Sequence, residues 1–473
     1  MIFSTTTFLL YFLPLFFFIY YYAPIRFKNI IILGGSIIFY SWGAPKFIFV
    51  VLIATYLDFY IVKKLHATYR IKARKALLSL SIFINLGLLV YFKYANFFVE
   101  NLNVLFSYFD LNPMGWTHVF LPIGISFYTF QTLTYSIDVY RKTAKPLAKV
   151  SDYMLYIMSF PQMIAGPIVR FNSIASQIIN RNATYDDKLI GFYRFCIGLS
   201  KKVLIANVMA KQADLIFNAN LETINIAEAW IGILAYTFQI YFDFSGYSDM
   251  AIGLGKMLGF KFPENFDSPY VSKSISEFWR RWHITLGDFM RDYLYIPLGG
   301  NRVGNKYRLY FNLWIVFLVS GLWHGAEWNF ILWGIYHGLF LILDRLFLLS
   351  LLKRLGGPVA TCTTFLCIMF GWVLFRIEDI TKIKLYFSKL LSFNSDFSVV
   401  LKSEFGFTLI LAIMFSFFVN LKKGEKIKNY FFNKNYYSFK EHVLLTIICV
   451  ILFALSLSAI TSSNFNPFIY FRF

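Results

Sequence analysis

Two histidines in this sequence stand where an imidazole can do acid–base chemistry, and the first is His324. It lies in the segment "SGLWHGAEWNF", between two strongly apolar stretches. We expect Gly321 and Gly325 to leave room beside it and Trp323 to wall a pocket. An imidazole with an ordinary pKa of about 6.5 acts as base or acid near neutral pH. His324 is therefore a candidate catalytic residue; the alternative is a helix-packing histidine bonded to a backbone carbonyl.

The second candidate is His283, in "RRWHITL", where Arg280 and Arg281 disfavour its cationic form. The alternative for His283 is an interfacial histidine that faces lipid headgroups. His337 follows His324 by about 220° around one continuous helix, so we expect it to point elsewhere and to pack. No pair of histidines has the H-E-x-x-H spacing of a zinc site, and the sequence predicts no metal. The remaining histidines lie at loops or span ends: His66, His118 and His442.

The elements that must position these residues are membrane helices. The chain is 58% hydrophobic and only 15% charged, whereas a soluble domain is nearer half apolar and about a quarter charged. A span needs roughly 20 predominantly apolar residues, and the runs do not alternate as barrel strands would. The sequence predicts an all-α polytopic membrane protein with ten to thirteen spans. The candidate spans are about 3–23, 45–62, 76–98, 119–140, 153–169, 188–206, 229–258, 309–323, 328–349, 357–376, 404–420 and 442–462, with 29–42 as a short addition.

The net charge of +20 raises the possibility of nucleic-acid binding, which its distribution argues against. Basic residues cluster in 63–75 and 141–149, between spans, while the intervening loop, about 99–118, contains no Lys or Arg. This alternation is the positive-inside pattern. It places 63–75 and 141–149 in the cytoplasm and 99–118 outside.

One region, roughly 259–308, is too polar to span the membrane and too aromatic to be a free loop. Ser274 followed by Glu277 predicts a capping box at the start of a helix. The pattern after this cap is typical of an amphipathic helix in or under the membrane, with Arg280 and Arg291 close together on its polar face. Its apolar face would carry Phe278, Trp282, Phe289 and Tyr293.

Several polar or helix-breaking residues fall at membrane depth. We expect the buried acids Asp243 and Asp249 to pair with a partner, as helix locks or as functional groups. Pro161, Gly166 and Pro167 should break a helix. Such a break is tolerated only where protein or a water-filled cavity covers the backbone, which indicates a cavity wall.

Four ordered motifs resemble the membrane-bound O-acyltransferase family. They are "FPQMIAGPIVRF", "QIYFDFSGYSDMAIGLGKMLGFKFPENFDSPY", "SISEFWRRWHITLGDFMRDYLYIPLGGNR" and "GLWHGAEWNFILWGIYHG". The similarity is greatest to the bacterial alginate and peptidoglycan O-acetyltransferases, with the D-alanyl transferase of teichoic acids as a cousin. The motif core covers about 121–345 within a single membrane-embedded domain, 1–473, and the C-terminal "NPFIYFRF" agrees.

The resemblance implies helices around a thinned centre, where a cytoplasmic and an extracytoplasmic funnel meet near a histidine. That histidine matches His324, and a second functional histidine matches His283. His324 would act as general base or carry the acetyl group transiently, and Glu327 would either orient it or start the next helix. The predicted tunnel or pocket residues are Trp323, Gly325, Trp282 and Asp243.

The resemblance also implies an acetyl-CoA donor, with no permanently bound cofactor. Arg280, Arg281 and Arg291 are candidates for attracting the CoA phosphates; the alternative is interfacial anchoring. The implied location is the bacterial inner membrane, with lipid around the helices. The implied partners are a polysaccharide acceptor and a periplasmic or surface esterase-like acetyltransferase.

Three alternative functions are also compatible with the sequence. A transporter or flippase of a lipid-linked glycan or acyl carrier would use the same polar residues without chemistry. A scaffold for polysaccharide export would tolerate loss of His324. A protein-acylating enzyme of the same family is a narrower option, and "IPLGGNR" favours the polysaccharide branch.

Overall fold

The computed structural model describes residues 2–392, 398–434, 436–463 and 465–469, and the regular elements in these ranges are helices. Within them, an isolated antiparallel bridge joins Phe266 and Trp282. The predicted all-α class is confirmed. Every candidate span of the sequence coincides with a helix over most of its length, except 153–169, which is broken.

The chain forms two compact units, one running to Ala183 with Leu258–Phe262 and the other comprising Thr184–Met257 and the residues from Pro263 onward. A single domain over 1–473 stays a prediction. Helices of the first unit are Thr7–Phe12, Leu13–Tyr22, Ile25–Phe27, Lys28–Gly43, Phe47–Ala67, Ile71–Tyr108, Ile125–Tyr140, Val150–Met158, Phe160–Met163 and Phe171–Ile179. Helices of the second are Tyr185–Ser200, Lys201–Ala206, Asn207–Phe217, Ile226–Met257, Pro269–Val271, Ile275–Arg281, Ile284–Met290, Arg291–Tyr295, Lys306–His324, Trp328–Leu343, Asp344–Leu348, Leu349–Leu355, Gly357–Arg376, Ile380–Leu390, Phe405–Phe417, Phe418–Asn420, Gly424–Phe432 and Phe439–Ser462.

Among the residues that the structure describes, four helices are long and apolar enough to cross a membrane, and a fifth span is possible if a bent pair counts as one. The pair is Phe405–Asn420 with Gly424–Phe432, bent by 102°. The chain is therefore a multi-pass membrane protein, while the larger number of ten to thirteen spans stays a prediction. The four helices are Ile71–Tyr108, Trp328–Leu355, Gly357–Arg376 and Phe439–Ser462.

In the first unit, the predicted helix break at the Pro161 motif is confirmed. Val150–Met158 ends just before Ser159, a short helix follows at Phe160–Met163, and the chain then turns. A Cβ on Gly166 would lie 2.7 Å from Cα of Gln162, so the turn needs glycine. Residues 160–169 are buried, so protein covers the interrupted backbone, while the location of this stretch at membrane depth and in a cavity wall stays a prediction.

In the second unit, the long helix Ile226–Met257 is buried along most of its length and packs closely on Tyr185–Ser200. A Cβ on Gly198 would lie 2.5 Å from the carbonyl oxygen of Gly246. Small residues at such crossings let helix backbones approach closely. This close packing fixes the orientation of Ile226–Met257, the helix that carries Asp243 and Asp249.

Asp243 and Asp249, the two acids of this helix that were predicted to be paired, both have basic partners. Asp249 is paired with Nη2 of Arg194 at 2.7 Å and with Nζ of Lys201 at 2.6 Å. Asp243 is paired with Nζ of Lys202 at 2.9 Å. The pairing expected of buried carboxylates is confirmed for both.

Candidate active site

A short extended stretch fixes the backbone at His283. The amide of Asp267 donates to the carbonyl of Arg281 at 2.9 Å, and the amide of Ile284 donates to the carbonyl of Asn265 at 2.9 Å. Between these bonds His283 is in the left-handed conformation, with φ of 46° and ψ of 51°. This conformation costs a non-glycine residue about 1–3 kcal/mol and persists only where its surroundings impose it. The backbone hydrogen bonds of Asn265 and Asp267 impose the left-handed conformation here.

The turn at His283 divides the amphipathic helix expected from the sequence into two. One helix covers Ile275–Arg281 and the next covers Ile284–Met290. The prediction of a single continuous helix is wrong, because the pairing with Asn265–Asp267 takes Trp282 and His283 out of helical geometry. The predicted helix start is confirmed, since Oγ of Ser274 accepts the amide of Glu277 at 3.1 Å.

The side chain of His283 has a defined proton arrangement. Oδ1 of Asn265 accepts the amide of Thr285 at 3.2 Å and its hydroxyl at 2.8 Å, and it lies 3.2 Å from Nδ1 of His283. A backbone amide can only donate, so the shared Asn265 atom is the oxygen and Nδ1 carries a hydrogen. His283 is 2% exposed, and burial lowers its pKa to about 3. The neutral ring therefore presents Nε2 as its acceptor atom.

His324 is the last residue of the helix Lys306–His324 and is 7% exposed. Its ring centroid lies 4.9 Å from that of Trp323, 5.1 Å from that of Trp333 and 5.1 Å from that of Phe375. The imidazole is thus enclosed by three aromatic side chains at a helix end. Such packing restricts the orientation of the ring.

The room expected beside His324 at its flanking glycines is occupied by Phe330. A Cβ on Gly321 would lie 2.3 Å from the carbonyl oxygen of Phe330, and one on Gly325 would lie 2.0 Å from Cε2 of its ring. That expectation is corrected: the glycines let the helix Trp328–Leu343 approach Lys306–His324. Their role in this structure is to close the hairpin that carries His324.

Trp323 connects the two candidate histidines. Its ring centroid lies 6.0 Å from that of His283 and 4.9 Å from that of His324. The ring centroid of His283 also lies 4.7 Å from that of Phe244. The two histidines, 41 positions apart in the chain, thereby lie on one aromatic wall.

Trp282, predicted to line a pocket, is buried in the continuation of this wall. The ring centroid of Trp282 lies 4.9 Å from that of Trp372. The centroid of Phe375 lies 5.5 Å from that of Trp372 and 5.1 Å from that of His324. A chain of aromatic contacts thus runs from Trp282 to His324. Whether the wall lines a tunnel stays a prediction.

His337 lies closer to the site than the sequence indicated. The helices Lys306–His324 and Trp328–Leu343 are separate, so the angle counted along one continuous helix does not apply. The ring of His337 packs 4.9 Å from Trp333, the same indole that contacts His324. Nε1 of Trp279 donates to Nδ1 of His337 at 3.4 Å. The packing role is consistent with these contacts, while the expected direction is wrong.

The three arginines predicted to attract phosphates are in different settings. Arg281 is paired with Glu277 at 3.0 Å and with Asp267 at 3.3 Å. Arg291 is paired with Asp288 at 2.8 Å and with Asp292 at 2.7 Å. Arg280 is exposed. The acids beside Arg281 and Arg291 offset much of their charge.

Asp243 and Glu327 take structural positions around the site. Asp243 is buried against Lys202 and accepts the amide of Ile469 at 2.8 Å. Glu327 occupies the N-cap position of the helix Trp328–Leu343 without a side-chain cap bond. A role for Asp243 in a tunnel, and one for Glu327 in orienting His324, stay predictions.

Sequence reasoning missed four residues that touch this site. Trp333 and Phe375 enclose His324, Asn265 fixes His283, and Lys202 pairs with Asp243. Asn265 lay within a motif, in "PENFDSPY", and a buried asparagine before a turn was the available signal. Lys202 and Phe375 lie outside the motifs, and only the fold brings them here.

Comparison with known proteins places the chain in a family. Residues 37–351 match the model of the membrane-bound O-acyltransferase family. A probable alginate O-acetylase of Pseudomonas putida is 40% identical over 100% of both chains. Another, of Azotobacter vinelandii, is 44% identical over 83% of this chain and 79% of the relative. A peptidoglycan O-acetyltransferase of Helicobacter pylori is 36% identical over 80% of this chain and 78% of the relative. This chain is therefore an O-acyltransferase that belongs to the membrane-bound O-acyltransferase family.

Proposed function

We propose that this chain is a membrane O-acetyltransferase. It passes the acetyl group of cytoplasmic acetyl-CoA through the inner membrane for O-acetylation of an extracytoplasmic polysaccharide: peptidoglycan, alginate or a related exopolysaccharide. The observation that carries the proposal is the packing of two buried imidazoles, His283 and His324, on the one indole of Trp323. The full-length similarity to a probable alginate O-acetylase supports acetyl as the group transferred.

His324 is the residue to which we assign the reaction. As general base, its imidazole takes the proton of an acceptor hydroxyl while the hydroxyl oxygen bonds to the thioester carbonyl carbon. The carbon–sulfur bond then breaks, and the thiolate leaves and takes up the proton. In the second route, the imidazole nitrogen first carries the acetyl group and then yields it to the acceptor. Proton abstraction of this kind contributes about 10²–10⁴-fold to a rate.

His283 has a different task in this proposal. With Nδ1 committed to Asn265 and a pKa of about 3, it is neutral at physiological pH. A neutral imidazole offers Nε2 as a hydrogen-bond acceptor, which suits orientation of a hydroxyl or an amide N–H. It cannot serve as a cation that stabilises negative charge.

The donor and acceptor reach His324 from opposite sides in this proposal. Ten to thirteen spans would surround a thinned centre with an inner and an outer funnel, so that only the acetyl-bearing arm of CoA need enter. Arg280 is the arginine best suited to the CoA phosphates, because the charges of Arg281 and Arg291 are offset by acids. An esterase-like partner outside the membrane would place the acetyl group on the sugar.

Purified protein in lipid nanodiscs tests the enzymatic step. With acetyl-CoA supplied, the measurement is release of free CoA thiol, with transfer of label from [¹⁴C]acetyl-CoA to protein or acceptor. We expect His324→Ala to lose at least about 10²-fold of this activity. His66→Ala is the matched control, because His66 is exposed at the end of Phe47–Ala67. Parental thioester turnover by the His324 variant would reject the assignment, and no turnover by the parent chain would favour a transporter.

A further inference from the structure

A buried ion pair joins the long helix Ile226–Met257 of the second unit to the helix Lys201–Ala206. Nζ of Lys202 is 2.9 Å from Oδ1 of Asp243, and the two side chains are 1% and 2% exposed. Removing two charges from water costs several kcal/mol per ion, and attraction between them repays it only with further hydrogen bonds. The further bonds of this pair go to the C-terminal segment Asn466–Ile469.

Three polar contacts fasten that segment. Oδ2 of Asp243 accepts the amide of Ile469 at 2.8 Å, and Nζ of Lys202 donates to the carbonyl of Pro467. Nδ2 of Asn207 donates to Oδ1 of Asn466 at 3.2 Å, while Oδ1 of Asn207 accepts from Nζ of Lys202 at 2.8 Å. The pair and the amide of Asn207 thus bind both the backbone and a side chain of the segment.

Apolar contacts seat the same segment. The ring of Phe468 stacks on Tyr247 with centroids 4.6 Å apart. Ile469 is 3% exposed and belongs to the apolar cluster that also contains Phe244, Trp282 and Phe375. The segment is therefore an interior element of this unit.

The Lys202–Asp243 pair lies next to the wall of the site. Asp243 immediately precedes Phe244, whose ring packs 4.7 Å from that of His283. Phe375 in the shared cluster contacts His324. The segment therefore shares one apolar cluster with a ring that contacts each imidazole.

A second buried acid of the helix Ile226–Met257, Asp249, provides a comparison. Asp249 is paired with Arg194 and Lys201, and Arg194 is also paired with Glu264 at 2.5 Å. Within the described part of the chain, the carboxylate of Asp249 bonds to these two cations and not to Asn466–Ile469. Two buried pairs of similar chemistry therefore differ in whether they hold the C-terminal segment.

We propose that Lys202 and Asp243 are positioning residues that seat Asn466–Ile469 as a water seal on the acyl-transfer centre. The seal directs the acetyl group to a polysaccharide hydroxyl. Without it, a water oxygen bonds to the thioester carbonyl carbon, the carbon–sulfur bond breaks, and acetate and free CoA thiol leave. This inference rests on the proposed function, since it presupposes acetyl transfer from a thioester.

The test is a partition ratio measured in inside-out membrane vesicles of the native host, which contain the full chain and its polysaccharide. Vesicles receive [¹⁴C]acetyl-CoA, and the label is measured as free acetate and as base-labile ester on precipitated polymer. For Asp243→Asn and Ile469→Pro, which removes the amide donor, we expect the acetate-to-ester ratio to rise about ten- to a hundredfold, the scale of misplacement near a reacting centre. Asp249→Asn should leave the ratio at the parental value.

A ratio is chosen because, once the acetate formed by vesicles that lack the chain is subtracted, partial loss of folded enzyme lowers both products together and leaves the ratio unchanged. The double variant Lys202→Met/Asp243→Leu guards against misfolding, because apolar replacement of a buried pair is often neutral or stabilising. It still lacks the acceptor for Ile469, so its ratio should rise as well. A parental ratio in the folded double variant overturns the inference. Failure of the parent chain to use acetyl-CoA at all would instead overturn the proposed function.

Discussion

Nδ1 of His283 lies 3.2 Å from Oδ1 of Asn265, and this contact settles which ring nitrogen holds the hydrogen. The oxygen of Asn265 is identified by the amide of Thr285, which donates to it at 3.2 Å. One amide thereby aligns a histidine whose own backbone is held in a left-handed conformation. The tautomer of His283 is thus set by a residue outside the aromatic wall.

Replacing Asn265 with Asp should make activity depend on pH through His283. A carboxylate beside Nδ1 favours the protonated ring, so the pKa of His283 rises from about 3 and Nε2 loses its acceptor role below the new pKa. In the parent chain, titration of His283 should cause no loss of activity between about pH 5 and 8. In Asn265→Asp, acetyl transfer should fall as pH is lowered through that range and recover as it is raised. A pH–rate profile of kcat/KM measures the effect.

The control for that experiment is Asn265→Ala, which removes the acceptor without adding charge. Asn265→Ala should reduce activity at every pH, without an additional fall in activity as the pH is lowered. An Asn265→Asp profile parallel to that of Asn265→Ala would show that the contact does not govern protonation of His283.

Gly325→Ala should destabilise the hairpin that carries His324. The added Cβ would lie 2.0 Å from Cε2 of Phe330, and overpacking of this kind costs about 1–3 kcal/mol. We expect a lower midpoint of thermal unfolding in detergent and partial recovery in Gly325→Ala/Phe330→Leu. Gly304→Ala, at a glycine whose Cβ would meet open space, should be nearly neutral; equal losses at both positions would contradict the explanation.

His337 should matter more to stability than to catalysis. His337→Phe leaves the half-buried indole N–H of Trp279 without its acceptor at 3.4 Å, and leaving a buried donor unsatisfied costs up to about 1–3 kcal/mol. His337→Gln restores an acceptor and should recover part of that stability. Both variants should keep far more acetyl transfer than His324→Ala. Loss of activity by His337→Gln to the level of His324→Ala, with stability retained, would make His337 a catalytic candidate instead.

Among the arginines, Arg280 should make the largest contribution to donor binding. Arg281 and Arg291 are each paired with two acids, while Arg280 and Arg291 are both exposed. Arg280→Gln should raise KM for acetyl-CoA several-fold at low salt, and the difference should shrink at high salt because exposed charges are screened. Arg291→Gln is the comparison and should change KM less. A salt-independent change, or a larger one at Arg291, would exclude this ranking.

The sequence predicts helix positions well here because long apolar runs have few other solutions at membrane depth. The helices Gly357–Arg376 and Trp328–Leu343 begin at the predicted residues. The break at the Pro161 motif was also predictable, since proline removes a donor and glycine permits the turn. The cap at Ser274 followed from local chemistry in the same way.

The geometry of the site depends on tertiary contacts, which the helical periodicity of the sequence does not predict. The turn at His283 exists because Asn265 and Asp267 pair with residues after them in the chain, and helical spacing alone predicted a continuous helix there. The direction of His337 was missed because the chain reverses between His324 and Trp328. The partners Lys202 and Ile469 reach Asp243 from far along the chain.

The most direct test of His324 as the acyl-transfer residue is the O-acetyl ester content of polysaccharide in cells that lack the native gene and carry His324→Ala at matched membrane abundance. We predict a loss of at least about 10²-fold relative to the parent chain, while His66→Ala restores the parental content. Parental O-acetylation supported by the His324 variant would contradict the assignment of acyl transfer to this enclosed imidazole.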